Sequence, residues 1–291
     1  MSMPHCKILP GEHTFSWMLR SYLASGEDDF LSFQKRRGIF DRGITANKIF
    51  CDTTSQLYKL LETNHGVYSN NLSLVPWQIS TGKPVSELEK LISFYTHMNE
   101  QQMFSFSTDW HSCADCREED LNHYGTSFWH AKHQITSSFR CYKHRCVLQT
   151  ANPSIKNLYY EQLPHQNMNW SPLVIEPSST IISWQDFIDS YLEADASLQI
   201  PLWDLKDNIV SRLNLPVSKR AGRLKVCQEL NVDFEKVLGD KLLRYLFRDF
   251  ARPTERGSIN ILRTMFAGQH KSHGVRNYVY WLALYYWLEN R

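Results

Sequence analysis

Cys113-Ala114-Asp115-Cys116 and Cys141-Tyr142-Lys143-His144, separated by 24 residues, are the stretch on which the reading of this chain turns. A CxxC pair and a CxxH pair supply four donors of the kind a tetrahedral zinc ion takes. Two residues between ligands let one tight turn aim both side chains at one point. The long middle segment can then fold back and bring the second pair to the first. The metal is expected to do the work of a core in a region with few aliphatic residues. Cys113, Cys116, Cys141 and His144 are therefore the candidate ligands of one structural zinc ion. Cys146 is a spare thiol beside the second pair that could replace His144. Four protein ligands leave no open position for water, which argues against a catalytic metal.

Between the two pairs lie Tyr124-Gly125, Phe128-Trp129-His130 and His133-Gln134. The order CxxC, YGxxFWHxxHQ, CxxH resembles the core of the TniQ/TnsD family, the target-selection components of cut-and-paste bacterial transposons. A second match, Pro10-Gly11-Glu12 with Ser16-Trp17-Met18-Leu19-Arg20, is similar to the family's opening P-x-E…S-W-x-x-R. The matches together span about residues 10–148. The chain departs from the family pattern at Tyr142, where Pro is usual, and at Arg145, where Gly is usual. The resemblance implies a non-enzymatic transposition adapter in the bacterial cytoplasm. Such proteins mark a DNA target and recruit the transposon's AAA+ ATPase. Some bind an attachment sequence directly. Others ride on a CRISPR effector such as Cascade with its guide RNA, where they can act as a homodimer.

Length and composition are those of a protein with two or three compact units. The 291 residues are 42% hydrophobic and 21% charged, and the net charge is +2. The whole chain is thus no polycation, and any nucleic-acid surface must be local. Seven Cys with no apolar leader in MSMPHCKILPGEH fit a reducing, cytoplasmic setting, in which paired Cys read better as metal ligands than as disulfides. No apolar run reaches the ~20 residues a bilayer span requires.

The expected class is mainly α, in three parts. Residues 1–100 form a helical, helix-turn-helix-like unit; 101–177 hold the small zinc-knuckle region and a linker; 178–291 form a helical, basic domain. Phe15, Met18, Leu19, Tyr22 and Leu23 recur at helical spacing over 12–24, with Gly26 as the stop. A short helix follows from Asp28 and ends at Lys35-Arg36-Arg37, a run read as a solvated helix end. Further helices are expected over 53–62 and from Pro84 onward. In the middle region, the aromatics pack around the metal, and His133 donates a hydrogen bond to a ligand or a carbonyl. One short strand is expected at Leu173-Val174-Ile175. Beyond it, Ser183 starts a helix whose Trp184, Phe187, Ile188, Tyr191 and Leu192 form one face. The remaining helices fall at about 204–213, 218–230, 233–248, 257–267 and 274–289.

Charge is uneven along the chain. From Lys206 to Arg276 there are fifteen Lys or Arg against seven Asp or Glu, a balance of +8. Lys219, Arg220 and Arg223 lie on one expected helix; Lys236, Arg244 and Arg248 lie on the next, with Arg252 beyond it. A short turn near Asn231-Val232 would set the two in helix-turn-helix geometry, which makes these seven residues the candidate DNA contacts. The final helix, with Tyr278, Trp281, Tyr285, Tyr286 and Trp287, is apolar nearly all round. It reads as core, or alternatively as the seam of a homodimer.

A stand-alone zinc-containing, sequence-specific DNA-binding regulator is the other function these features allow. It would share the basic helices and the metal knot and lack the transposon partners. An enzyme such as a zinc-supported nuclease finds no support, since there is no HExxH, GxSxG or Walker A glycine loop. No clustered carboxylates or compact His/Asn/His pattern lie near the knuckles.

Overall fold

The computed structural model describes residues 6–36, 105–106, 109–135, 137–151, 162–166, 169–193, 202–215, 220–251, 261–266 and 278–291. The helices expected at 53–62 and from Pro84 lie outside them. The described residues fall into two compact units, one extending to Ile175 and the other running from Glu176 onward and including Ser105 and Phe106. Among the described residues, helix dominates the second; the first carries three α-helices beside a small sheet and irregular segments.

In the first unit, α1 (Thr14–Leu23) buries Phe15, Met18, Leu19 and Tyr22 on one face. Trp17, off that stripe, is equally buried and donates its indole N–H to the Cys6 carbonyl at 2.6 Å. A second short helix, α2 (Phe30–Arg36), packs Phe30 and Phe33 against Tyr22. Three strands, β1 (His111–Ser112), β2 (Gln149–Ala151) and β3 (Trp170–Pro172), pair antiparallel in chain order. The third strand thus sits three residues before the expected Leu173-Val174-Ile175, and Val174 stands 97% exposed. Apolar composition alone picked the wrong three residues: Leu173 N–H still reaches the Leu148 carbonyl at 3.0 Å, but pairing ends there.

Two stretches far apart in sequence interlock in this unit. His13 N–H donates to the Trp129 carbonyl at 2.7 Å, Trp129 N–H donates to Ser16 Oγ at 3.0 Å, and Ala131 N–H donates to the Gly11 carbonyl at 2.9 Å. Behind them Glu12, fully buried, takes both arms of the Arg20 guanidinium at 2.7 Å each. Leu9 N–H also donates to Glu12, at 2.9 Å. The first helix therefore belongs to the same unit as the Cys/His region. Trp129 lies between Trp110 and Trp170, with ring centroids 5.3 and 5.8 Å away.

Among the described residues, the elements of the second unit are helices: α4 (Ser179–Glu193), α5 (Leu202–Arg212), α6 (Arg220–Leu246), α7 (Arg248–Ala251), α8 (Ile261–Phe266) and α9 (Tyr278–Asn290). Helix α4 begins four residues before the expected Ser183, because Ser178 Oγ accepts from Ile181 N–H at 3.2 Å and caps the end. Its Trp184 and Ile188 are buried, as the spacing predicts.

The expected turn at Asn231-Val232 is not there; α6 runs straight through it. Asn231 uses its turn-forming side chain elsewhere. Its amide nitrogen donates to Glu235 and its oxygen accepts from Leu262 N–H, at the start of α8. The break comes at Gly239, with φ 72° and ψ 157°, a conformation essentially reserved for glycine. The short-turn helix-turn-helix geometry read from the sequence is thereby corrected.

Helix α9 is core. Residues 279–284 and 286–288 are buried, with α5 and α6 packed against it. Trp287 packs on Phe234 and donates its indole N–H to Asp233 at 2.9 Å. The chain itself supplies cover for this helix, in keeping with its reading as core. No helix among the described residues is long and apolar enough to cross a membrane.

Candidate metal centre

The first ligand pair sits where β1 meets α3 (Ala114–Tyr124). Cys113 is the residue before the helix and Cys116 lies in its first turn. This helix has almost no apolar stripe. Its buried positions are Cys116 and Asp120, one turn apart, and Gly125 ends it at φ 70°. The second pair sits in a hairpin. Leu148 N–H donates to the Phe139 carbonyl at 2.8 Å, and Cys141 N–H donates to the Cys146 carbonyl at 2.8 Å. Arg145 closes the turn at φ 59°, the left-handed conformation in which Gly is the usual residue.

The four donors converge. His144 Nδ1 is 3.4 Å from Cys113 Sγ, 3.3 Å from Cys116 Sγ and 3.7 Å from Cys141 Sγ. The sulfurs of Cys116 and Cys141 are 3.7 Å apart. A tetrahedral ion holding sulfur at about 2.3 Å and nitrogen at about 2.0 Å sets ligand–ligand edges of about 3.5–3.8 Å. The three Cys are buried and His144 is partly so, and the cluster can hold a metal ion. Cys146 does not take the place of His144. It groups with Cys113 and Asp115, its sulfur 3.4 Å from Cys113 Sγ and 3.9 Å from an Asp115 oxygen.

The proton chemistry of the cluster favours a cation. Hydrogen bonds from Cys116 and Cys141 draw the Cys113 thiol far below its ordinary pKa, and the bonds to Cys113 push Cys116 and Cys141 above theirs. These are bonds that a bound cation would replace. A divalent ion in their place would let all three sulfurs ionise.

Neighbouring groups orient the ligands. Glu119 Oε1 is 3.1 Å from His144 Nε2, an arrangement that puts the proton on Nε2 and turns Nδ1 inward. Burial opposes a charged His144, yet the bonds to Glu119 and Cys113 outweigh it and raise its pKa. Lys143 holds Glu119 from the other side. Burial drives His133 well below its ordinary pKa. Its Nε2 lies 3.4 Å from Cys141 Sγ and 3.8 Å from Cys116 Sγ, so that a proton on Nε2 points at ligand sulfur. The His133 ring packs against His130, and His130 Nε2 pairs with buried Asp120 at 2.9 Å. A cleft of about 490 Å³ over this face is bounded by Pro10, Cys116, Glu119, Tyr124, His130 and Tyr142, among others.

No protein-family model matches the chain, and no curated protein matches it.

The candidate DNA contacts are not brought together in the same way. Lys236, Arg244 and Arg248 are exposed. Lys236 lies before the Gly239 break and the other two after it. Arg244 pairs with Asp240 at 2.7 Å. Nearby Lys241 pairs with Glu176 at 2.7 Å. Lys219 and Arg252 lie outside the described residues; Arg220 and Arg223 fall on α6, with side chains outside the description. Glu119 and Asp120 went unnoticed in the sequence, and His130 was read there as part of the motif without a role. Glu119 and Asp120 stand three and four residues beyond Cys116, the spacing at which a helix would have placed them beside it.

Proposed function

We propose that this chain is a non-enzymatic transposition adapter whose first unit is stapled by one structural zinc ion on Cys113, Cys116, Cys141 and His144. The adapter marks a DNA target and recruits the AAA+ ATPase of its transposon. The observation that carries this reading is the interlock of the two stretches bearing the family resemblance. Gly11, His13 and Ser16 bond directly to Trp129 and Ala131, and the residues that follow lead into the Cys/His cluster. Motif residues with no partner in the fold would be hard to explain as one inherited unit; these have partners in one another.

Zinc suits the donor set better than other common ions. Three thiolates and one imidazole in tetrahedral disposition are the chemistry zinc selects, and hard cations prefer oxygen. The full ligand set points to a structural role.

The basic helices of the second unit support delegated more than direct targeting. The expected short turn is replaced by continuous helix, and Arg244 and Lys241 have acidic neighbours. An effector such as Cascade with its guide RNA would then find the site, and this chain would connect it to the ATPase.

The test is DNA binding by the purified protein across a salt series, beside co-elution with the ATPase and an RNA-guided effector. Expected are weak binding without sequence preference, erased by ~200 mM salt, and stable co-elution. Tight, sequence-selective binding with no ATPase association would overturn the adapter reading in favour of a stand-alone zinc-containing regulator. Robust metal-dependent cleavage of the DNA would overturn both.

A further inference from the structure

Zinc takes four donors, and this cluster holds further candidates beyond the four, His133 and Cys146 among them. Of these, Cys146 is the thiol. The hairpin fixes its position, since its carbonyl accepts the Cys141 N–H at 2.8 Å. Its sulfur stands 3.4 Å from Cys113 Sγ. It is partly exposed, whereas Cys113, Cys116 and Cys141 are buried. A thiol that stands outside the four-coordinate set, is partly exposed, and touches one ligand sulfur has a chemistry the other three lack.

We propose that Cys146 is a peroxide-reactive thiol that captures Cys113 as a disulfide and so removes one ligand from the metal. The inference rests on the metal reading above. The Cys146 sulfur attacks hydrogen peroxide; the O–O bond breaks, water leaves, and a sulfenic acid remains on Cys146. Cys113 then leaves the metal as a thiolate and attacks that sulfur. The S–S bond forms, the S–O bond breaks, and hydroxide departs into solvent. Two sulfurs lose two electrons in all, and one peroxide gains them. The sulfurs must close from 3.4 Å to a bond of about 2.05 Å, an approach of about 1.4 Å. Cys113 stands between β1 and α3 and Cys146 in the hairpin, so rotation of the two side chains has to supply the approach. Three donors then remain, two of them charged, and the ion is released. Reduction restores both thiols and the site.

The experiment uses the full, zinc-loaded chain and the variant Cys146→Ser. Each is exposed to hydrogen peroxide while released zinc is read with a chromogenic indicator. The cross-link is located by peptide mass mapping without reductant. The wild type should release one zinc per chain and show a Cys113–Cys146 link, both reversed by dithiothreitol and added zinc. Cys146→Ser should begin with the same zinc content, because Ser replaces no ligand, and should release it about tenfold more slowly, the remaining thiols of the cluster being buried and metal-bound. Equal release rates would overturn the inference, as would a link confined to Cys113, Cys116 and Cys141. Should neither protein bind zinc at all, the metal reading itself fails, and the inference with it.

Discussion

Replacing Arg20 by Met should cost the first unit more than any exposed substitution could. Glu12 is fully buried, and Arg20 is its one cationic partner in the described structure, held by two bonds of 2.7 Å. Removing one side of such a pair strands a carboxylate in a low-dielectric interior, which costs about 3–5 kcal/mol. With a urea dependence of about 2 kcal/mol/M, the unfolding midpoint should fall by about 1.5–2.5 M. The reverse change, Glu12→Gln, should cost less. The amide oxygen can still accept from Leu9 or Arg20, and the guanidinium also reaches the Lys7 carbonyl. The pH dependence has a definite sign. Burial raises the Glu12 pKa above its ordinary 4.5 even with Arg20 opposing it. A carboxyl raised on folding favours the native state where it is protonated, and that contribution fades as pH rises through its folded pKa. In Arg20→Met the upward shift grows, so the deficit should be largest at neutral pH and shrink toward pH 4. Urea titrations of both variants at pH 4.5 and 7.5, read by tryptophan fluorescence, test this. An Arg20→Met midpoint within 0.3 M of wild type at neutral pH, about 0.6 kcal/mol at the same slope, would refute the account of the pair as a buried, mutually dependent unit.

Three other outcomes are expected. Cys116→Ser, or chelation of the wild type, should abolish metal binding and unfold the first unit, because binding energy at such a site is folding energy; a thermal melt unchanged by chelator would contradict this. Glu119→Ala should weaken metal affinity about tenfold, at the lower end of what orienting carboxylates contribute since Glu119 is half exposed, measurable by competition with a fluorescent chelator. Gly239→Ala should destabilise the second unit by about 1–3 kcal/mol through its backbone; the space is adequate, as a Cβ there would meet Thr180 Cγ2 at an ordinary 3.7 Å, and calorimetry decides it.

Some of this was legible in the residues and some was not, for physical reasons. The ligand pairs were readable because metal chemistry allows few donor types at few spacings. Helices α1, α4, α5 and α9 were readable because each carries apolar residues at helical intervals or is apolar throughout. Helix α3 was not. It is polar along its length, and its inward side is marked by Cys116 and Asp120, which no hydrophobic count registers. It forms because Cys116 is anchored by the cluster and Asp120 by His130. The break in α6 was misplaced for a related reason. Asn231-Val232 carries local turn preference, and in this fold that preference is spent on capping α8. Gly239 carried the correct signal in a stretch whose apolar spacing looked unbroken. The Glu12–Arg20 pair and the contacts of Ser16 with Trp129 are tertiary facts; only the resemblance hinted that these residues mattered together.

Three indoles of the first unit, grouped around Trp129, also give the molecule a gauge of its own condition. Trp110 and Trp170 each lie against Trp129, at 5.3 and 5.8 Å, close enough for their excited states to mix. Arg117, one residue after a ligand cysteine, places its guanidinium 4.1 Å over the Trp170 ring. A loss of order at the cluster must therefore move a positive charge relative to a chromophore and change the spacing of the indoles. A metal ion taken up by the cluster would then report its presence through circular dichroism and emission colour, with no label attached.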